Sequence, residues 1–202
     1  MTLSAGKKAA LAILVASIVG IFPMLPNSGL IASTDFHWEA DKLVQFTDSL
    51  KEGNPYPIWL PLTNVFGGPV FLIYPPLIYY VLAAILIITG SVILSLKIFS
   101  FIGLLASGIS MYLYSKRILG TKGGILSSVA YIVLPFHLYD FYSRGSYVGF
   151  FAYVWSPLIL LAMDLVMSGK KYSVGLLALT YGLLVLTHPV SALMFSVVFL
   201  AY

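Results

Sequence analysis

Apolar runs long enough to cross a bilayer follow one another through most of this chain, and that pattern leaves few folds open to it. They cover about residues 9–25, 93–114, 123–138, 148–167 and 173–188, and a last run opens at 190 and is cut short by the terminus. A helix needs about 20 largely apolar residues to span the hydrocarbon layer. Inside that layer every backbone N–H and C=O must be bonded within the protein, which leaves helices and closed barrels. Unbroken apolar runs select the helix. Composition agrees: 60% of residues are hydrophobic and 9% charged, with a mean hydropathy of +0.99, outside the range of soluble domains. The expected fold is an all-α polytopic transmembrane bundle of about six spans. It forms one module over residues 1–202, reading as the N-terminal part of a longer protein.

Charge sets the topology. Lys and Arg number 11 against seven Asp and Glu, and the cations sit in short clusters between apolar runs. This is the signature of loops retained on the cytoplasmic side, and it offers no continuous basic face to a nucleic acid. The first run follows Lys7-Lys8 and lacks a small-x-small cleavage site before Pro23 and Pro26, so it reads as a retained anchor with the N-terminus in the cytoplasm. The segment 71–90 decides the parity of the rest. Pro75-Pro76 delays the start of its helix, and 76–90 is short for a span. Counting it as a span would export Lys116, Arg117, Lys122, Lys170 and Lys171. It is therefore expected to be a juxtamembrane or re-entrant helix. The outer loops then cover about 26–92 and 137–147.

The first outer loop is long for a plain connector. Phe36, Ala40, Leu43, Val44, Thr47 and Leu50 fall on one side at helical spacing, with Asp41, Lys42, Gln45, Asp48 and Lys51 opposite, which predicts an amphipathic helix lying flat on the membrane. Gly53-Asn-Pro-Tyr-Pro ends it, and Trp59-Leu-Pro and Gly67-Gly-Pro mark the return to the bilayer.

The chemistry-bearing residues collect at the outer face. Asp35 and His37 open the surface helix. Two readings are open: Asp35 is a helix N-cap beside a solvated imidazole, or the two serve as general base or metal ligands, with Glu39 and Asp41 assisting. With no cysteine in the chain, a disulfide, a thiolate site and a cysteine nucleophile are excluded, so any divalent metal would have to use His, Asp or Glu, with Asp35, His37 and Asp140 as the candidates. The second outer loop runs His137-Leu-Tyr-Asp140-Phe-Tyr-Ser-Arg144-Gly-Ser-Tyr147. Asp140 and Arg144 at i, i+4 form an ordinary ion pair in the bland account. Arg144, one of two arginines in the chain, also has the planar fork suited to a phosphate or pyrophosphate. His188-Pro189 lies near the same face, and Asp164 falls at the inner end of its span near Lys170 and Lys171, where it is expected to snorkel or to pair.

Taken in order, Asp35-x-His37, the surface helix, Trp59-Leu-Pro61, Gly67-Gly-Pro-Val-Phe71, Tyr74-Pro-Pro-Leu-Ile-Tyr79-Tyr80, Tyr114-Ser-Lys-Arg117, Asp140-Phe-Tyr-Ser-Arg144-Gly145 and Leu186-Thr-His188-Pro189 make the chain resemble the N-terminal module of the GT-C class of polytopic glycosyltransferases. More narrowly, it is similar to the bacterial and archaeal membrane proteins called "6-pyruvoyl-tetrahydropterin synthase-related", a label that implies no pterin chemistry. The resemblance implies a plasma-membrane enzyme that takes a sugar from a polyprenyl-phosphate carrier at the outer face and inverts the anomeric centre. It makes Asp35 the general base, with His37 and Asp140 as catalytic partners. Arg144 becomes the carrier-phosphate ligand, and Tyr74, Tyr147 and His188 become further substrate contacts. The rival class is a non-catalytic transporter, flippase or scaffold on the same bundle, marked by charges at the bilayer centre.

The topology is testable on a chain without native cysteine. Cysteine introduced at position 119 should resist a membrane-impermeant maleimide applied from outside, whereas cysteine at position 52 should react. Labelling at 119 would overturn the positive-inside assignment.

Overall fold

The computed structural model describes residues 4–26, 28–29, 32–61 and 66–202. The first three residues of the basic opening segment, and positions 27, 30–31 and 62–65 of the expected first outer loop, lie outside them. The described residues form helices joined by turns, with one isolated antiparallel bridge between Leu60 and Gly68.

Helix α1 (Ala5–Ile21) starts at Ser4, whose Oγ accepts from the Lys7 N–H, and continues into a 3-10 turn, Phe22–Met24, that Pro23 opens. Next come α2 (Phe36–Lys51), α3 (Val70–Ile73), α4 (Leu77–Thr89) and α5 (Val92–Ile132). α5 is not straight: Gly120 adopts φ +67 and ψ −177. That left-handed geometry suits glycine and folds the helix back into arms 92–119 and 121–132. α6 (Pro135–Tyr139) and a π-helical turn, Asp140–Arg144, lead into α7 (Tyr147–Met167), α8 (Ser173–Thr187) and α9 (Pro189–Ala201).

Small residues let the first helices approach closely, as membrane helix pairs require. A Cβ on Gly20 would touch Leu104 and Ile132, one on Gly108 would touch Ile132 and Ile13, and one on Gly124 would touch Lys116 and Tyr112. These contacts fix α1 antiparallel to the first arm of α5 and the two arms antiparallel to each other. The Lys97 ammonium donates to the Leu25 carbonyl at 3.0 Å, setting the start of α5 beside the end of α1. At the far end the Arg117 guanidinium binds the Asp164 carboxylate and, at 3.1 Å, the Ser168 hydroxyl. Asp164 thus joins α5 to α7; the expected pairing with Lys170 or Lys171 is replaced because Arg117, on the adjacent helix, presents a fork at the same level.

The bundle therefore has a basic end, with Lys7, Lys8, Lys116, Arg117, Lys122, Lys170 and Lys171 against the single acid Asp164. At its loop end Lys42, Lys51, Lys97 and Arg144 face six acids. The described residues include three helical stretches long and apolar enough to cross a membrane, Ala5–Met24, Val92–Arg144 and Tyr147–Met167. The second arm of α5, α8 and α9 occupy the other apolar runs as shorter helices, interrupted by Gly120 and by His188-Pro189.

α4 does not cross. Its 13 residues reach only about 20 Å, against a hydrocarbon core of about 30 Å. One end is tied to the first loop, where the Tyr79 and Tyr80 hydroxyls donate to Glu39 and to the Pro55 carbonyl. The other turns at Gly90 (φ +65) directly into α5 at the loop end.

α2 departs from the expected flat surface helix. It packs on α4, burying Phe36, Glu39, Ala40, Lys42, Leu43, Phe46 and Thr47. Lys42, expected on the polar side, is buried, and Val44, expected on the apolar side, is exposed. Lys42 turns inward because the Glu39 carboxylate meets it at 2.7 Å and the Tyr74 ring lies 4.6 Å from its ammonium. An aromatic cluster seals the junction: Phe46 and Phe71 rings are 4.8 Å apart, as are Phe71 and Tyr79.

The close helix seam makes a prediction. Gly108→Leu should overpack the α1–α5 contact and cost roughly 1–3 kcal/mol, read as a lower unfolding temperature in detergent. Gly175→Leu, where no atom stands in the way of a side chain, should be close to neutral.

Candidate functional site

Two loops far apart in sequence are clasped at the loop end. The Thr34 N–H donates to the Ser143 carbonyl at 3.2 Å and the Asp35 N–H to the Arg144 carbonyl at 2.7 Å. Gly145, at φ +71, makes the approach possible, since a Cβ there would collide with the Ser33 hydroxyl and the Phe36 backbone nitrogen. The start of α2 is thus held against the turn that carries Asp140 and Arg144.

Asp35 occupies the N-cap position of α2, but its φ of −111 and ψ of −4 lack the extended geometry of a capping residue, and its side chain makes no capping hydrogen bond. The capping role open in the sequence is thereby unfilled, and a half-buried carboxylate stands beside the clasp. His37, two residues along, is exposed, whereas Glu39 is buried.

Asp140 and Arg144 make the i, i+4 pair expected of them, Nη1 to Oδ1 at 2.8 Å, but the partners differ in surroundings: the Asp140 side chain is 6% exposed and that of Arg144 is 42% exposed. The buried carboxylate orients a guanidinium that still reaches solvent. Beneath them His137 is fully buried, its ring 4.4 Å from that of Tyr153 and 4.9 Å from that of Phe150. His188 stands at the break between α8 and α9, where its Nδ1 accepts from the Ser191 N–H at 3.3 Å. The break lies below the loop, because the Trp155 indole N–H reaches Thr187 at 2.8 Å, two turns into α7.

The structure does not unite every expected site residue. Tyr147 is 1% exposed and packs its ring against Phe36 at 5.5 Å, so it belongs to the core and offers no surface to a substrate. Tyr74 is half-exposed but covers Lys42 on the α2–α4 side. The metal set proposed from Asp35, His37 and Asp140 is not assembled: among the described residues no three His, Asp or Glu side chains converge as a metal site would require.

Sequence reasoning also missed a buried polar lock. Glu39 accepts from the Lys42 ammonium at 2.7 Å and from the Tyr79 hydroxyl at 2.5 Å, all three being buried. Burial, with the neighbouring Glu39 charge next in weight, holds the Tyr79 phenol well above its usual pKa, so it remains a donor. The Glu39-x-x-Lys42 spacing was a signal for the ion pair; its burial depended on α4 arriving from 40 residues away.

A family of membrane proteins described as the "6-pyruvoyl-tetrahydropterin synthase related domain" matches residues 71–202. The match covers Tyr74, Asp140, Arg144 and His188 and begins beyond Asp35 and His37. No curated protein and no solved structure matches the chain.

The lock predicts a stability pattern. Glu39→Gln leaves the Lys42 charge buried without its counter-ion and should cost about 3 kcal/mol or more. Adding Lys42→Met removes that charge and should recover most of the loss in thermal unfolding. With its spanning helices in place and almost two thirds of its length inside one family match, the chain belongs to the 6-pyruvoyl-tetrahydropterin synthase-related family of integral membrane proteins.

Proposed function

We propose that the chain carries the acceptor-activating and carrier-binding part of a GT-C type glycosyltransferase that uses a polyprenyl-phosphate sugar at the extracytoplasmic face. The observation that carries this reading is the clasp, in which Asp35 donates its N–H to Arg144. It brings the backbone of Asp35, whose carboxylate has no capping duty, against that of Arg144, whose guanidinium reaches solvent. In the proposed step Asp35 takes the proton from an acceptor hydroxyl as its oxygen attacks the anomeric carbon. The bond from that carbon to the carrier phosphate oxygen breaks with inversion, and the polyprenyl phosphate leaves with the electron pair. Arg144, oriented by Asp140, receives the phosphate charge through the donors it keeps toward solvent, and His188 approaches from below. The donor's chain stays in the lipid, so a site at one end of the bundle meets its substrate by lateral diffusion.

The transporter or flippase class is less well supported, because the charged residues gather at the two ends of the bundle rather than at its middle.

The test uses the full chain in proteoliposomes with radiolabelled polyprenyl-phosphate sugars. Asp35→Asn should lower transfer by about 100-fold or more while circular dichroism is unchanged. Arg144→Lys should raise the KM for the donor by roughly tenfold, since the fork geometry is lost and the charge kept. A wild-type chain that transfers no sugar but moves labelled polyprenyl phosphate across the bilayer would replace the enzyme reading with the flippase one.

A further inference from the structure

The basic end carries more positive charge than its own acids can balance. Its one carboxylate, Asp164, is committed to Arg117, and among the described residues neither Lys170 nor Lys171 enters an ion pair. These two lysines do not stand on a bare surface. The turn after α7, closed at Gly169 with φ +69, folds them over a cavity of about 460 Å³. Its apolar wall is Leu165 of α7 and Leu176 of α8, and its rim is Lys170, Lys171, Tyr172 and Ser173. Tyr172 is 82% exposed, at the level where amphipathic rings favour the headgroup layer.

The other grooves between helices differ in kind. The one between α7, α8 and α9 is walled by apolar side chains and the Tyr181 and Ser196 hydroxyls, with no charge. The one between α1 and the second arm of α5 has Lys8 alone. The cavity beside the α7–α8 turn combines two ammonium groups with an aliphatic wall beneath them. The occupant that satisfies both parts has an anionic phosphate head and a hydrocarbon tail.

We propose that this cavity is a binding site for an anionic phospholipid of the surrounding leaflet, the headgroup phosphate between Lys170 and Lys171 and an acyl chain along Leu165 and Leu176. Each lysine near such a headgroup contributes favourable attraction, and the tail buries apolar area that would otherwise face the boundary. The site lies at the end of the bundle opposite the Asp35–Arg144 clasp and does not depend on the transfer activity. Its wall residue Leu165 follows Asp164, which with Ser168 binds Arg117 of α5.

Native mass spectrometry of the purified chain, with phosphatidylglycerol or phosphatidylcholine added to the detergent, tests the proposal. The wild type should retain phosphatidylglycerol in preference to phosphatidylcholine. Lys170→Gln with Lys171→Gln should weaken that retention by about thirtyfold, whereas Lys7→Gln with Lys8→Gln should leave it within about twofold. Leu176→Ser, which keeps both charges and shortens the wall, should weaken it several-fold, and millimolar inorganic phosphate should not displace the lipid. Circular dichroism and the unfolding temperature establish that each variant is folded; if the double lysine variant does not fold, Leu176→Ser decides. Equal retention of the two lipids, an unchanged double variant, an equal loss in the Lys7 and Lys8 variant, or displacement by inorganic phosphate would overturn the proposal.

Discussion

A peptide group inside hydrocarbon has no water to bond to, and every feature of this chain answers to that constraint. Helices close their own backbone bonds, so the apolar runs become helices whatever their neighbours. The chain can change direction only where the lost bonds are avoided or replaced. Gly120 turns α5 back on itself with a left-handed residue. At the second break, His188 ends α8 and replaces a missing helical bond by accepting from the Ser191 N–H as α9 begins, with Pro189 in the first turn where its lack of an N–H costs nothing. At the third, Asp140–Arg144 passes through a π-turn before Ser146 caps α7. Two of these three interruptions carry polar side chains, those of His188, Asp140 and Arg144.

Cost explains why polar groups gather where they do. A charge is expensive in hydrocarbon and cheap at the boundary, so both ends of the bundle collect ionisable residues while the seam between α1 and the arms of α5 is built from glycine, serine and aliphatic side chains. The Glu39–Lys42–Tyr79 lock is the exception that proves instructive. It buries two opposite charges at the loop end, where an apolar trio of similar volume would hold α2 to α4 at least as firmly. Its consequence is specificity of placement: α2 is fixed on α4, and α2 is the helix that Asp35 opens.

The bland accounts of the candidate residues fare differently. Asp140 does pair with Arg144, and that pairing leaves the guanidinium half-exposed and aimed by a buried carboxylate. Asp35 does not cap its helix with its side chain, so the capping account does not explain the acid there. Tyr147, by contrast, packs its ring into the aromatic core around Phe36 and Phe99.

Fold class, the late start and short length of α4 and the gathering of basic residues at one end were legible in the residues alone, because each follows from local rules: a hydropathy run sets a helix, Pro75-Pro76 delays one, and lysine clusters mark a boundary. The pairing at Asp140–Arg144 was legible for the same reason, being a contact within about one turn, whereas the cap expected of the Asp35 side chain is not made. Partners distant in sequence were not. That Arg117 takes Asp164 from the lysines, that Lys42 turns inward under Tyr74, and that the loop at Asp35 is clasped to Arg144 through Gly145 all depend on which helices become neighbours. Helical periodicity records which face of α2 is apolar on average, but it cannot say that a carboxylate on its own turn and a tyrosine from α4 will neutralise a lysine on that face. Hydrophobicity is a property of single residues and survives in the sequence; the solvation of a charge is a property of what surrounds it, and the surroundings exist only once the chain has folded.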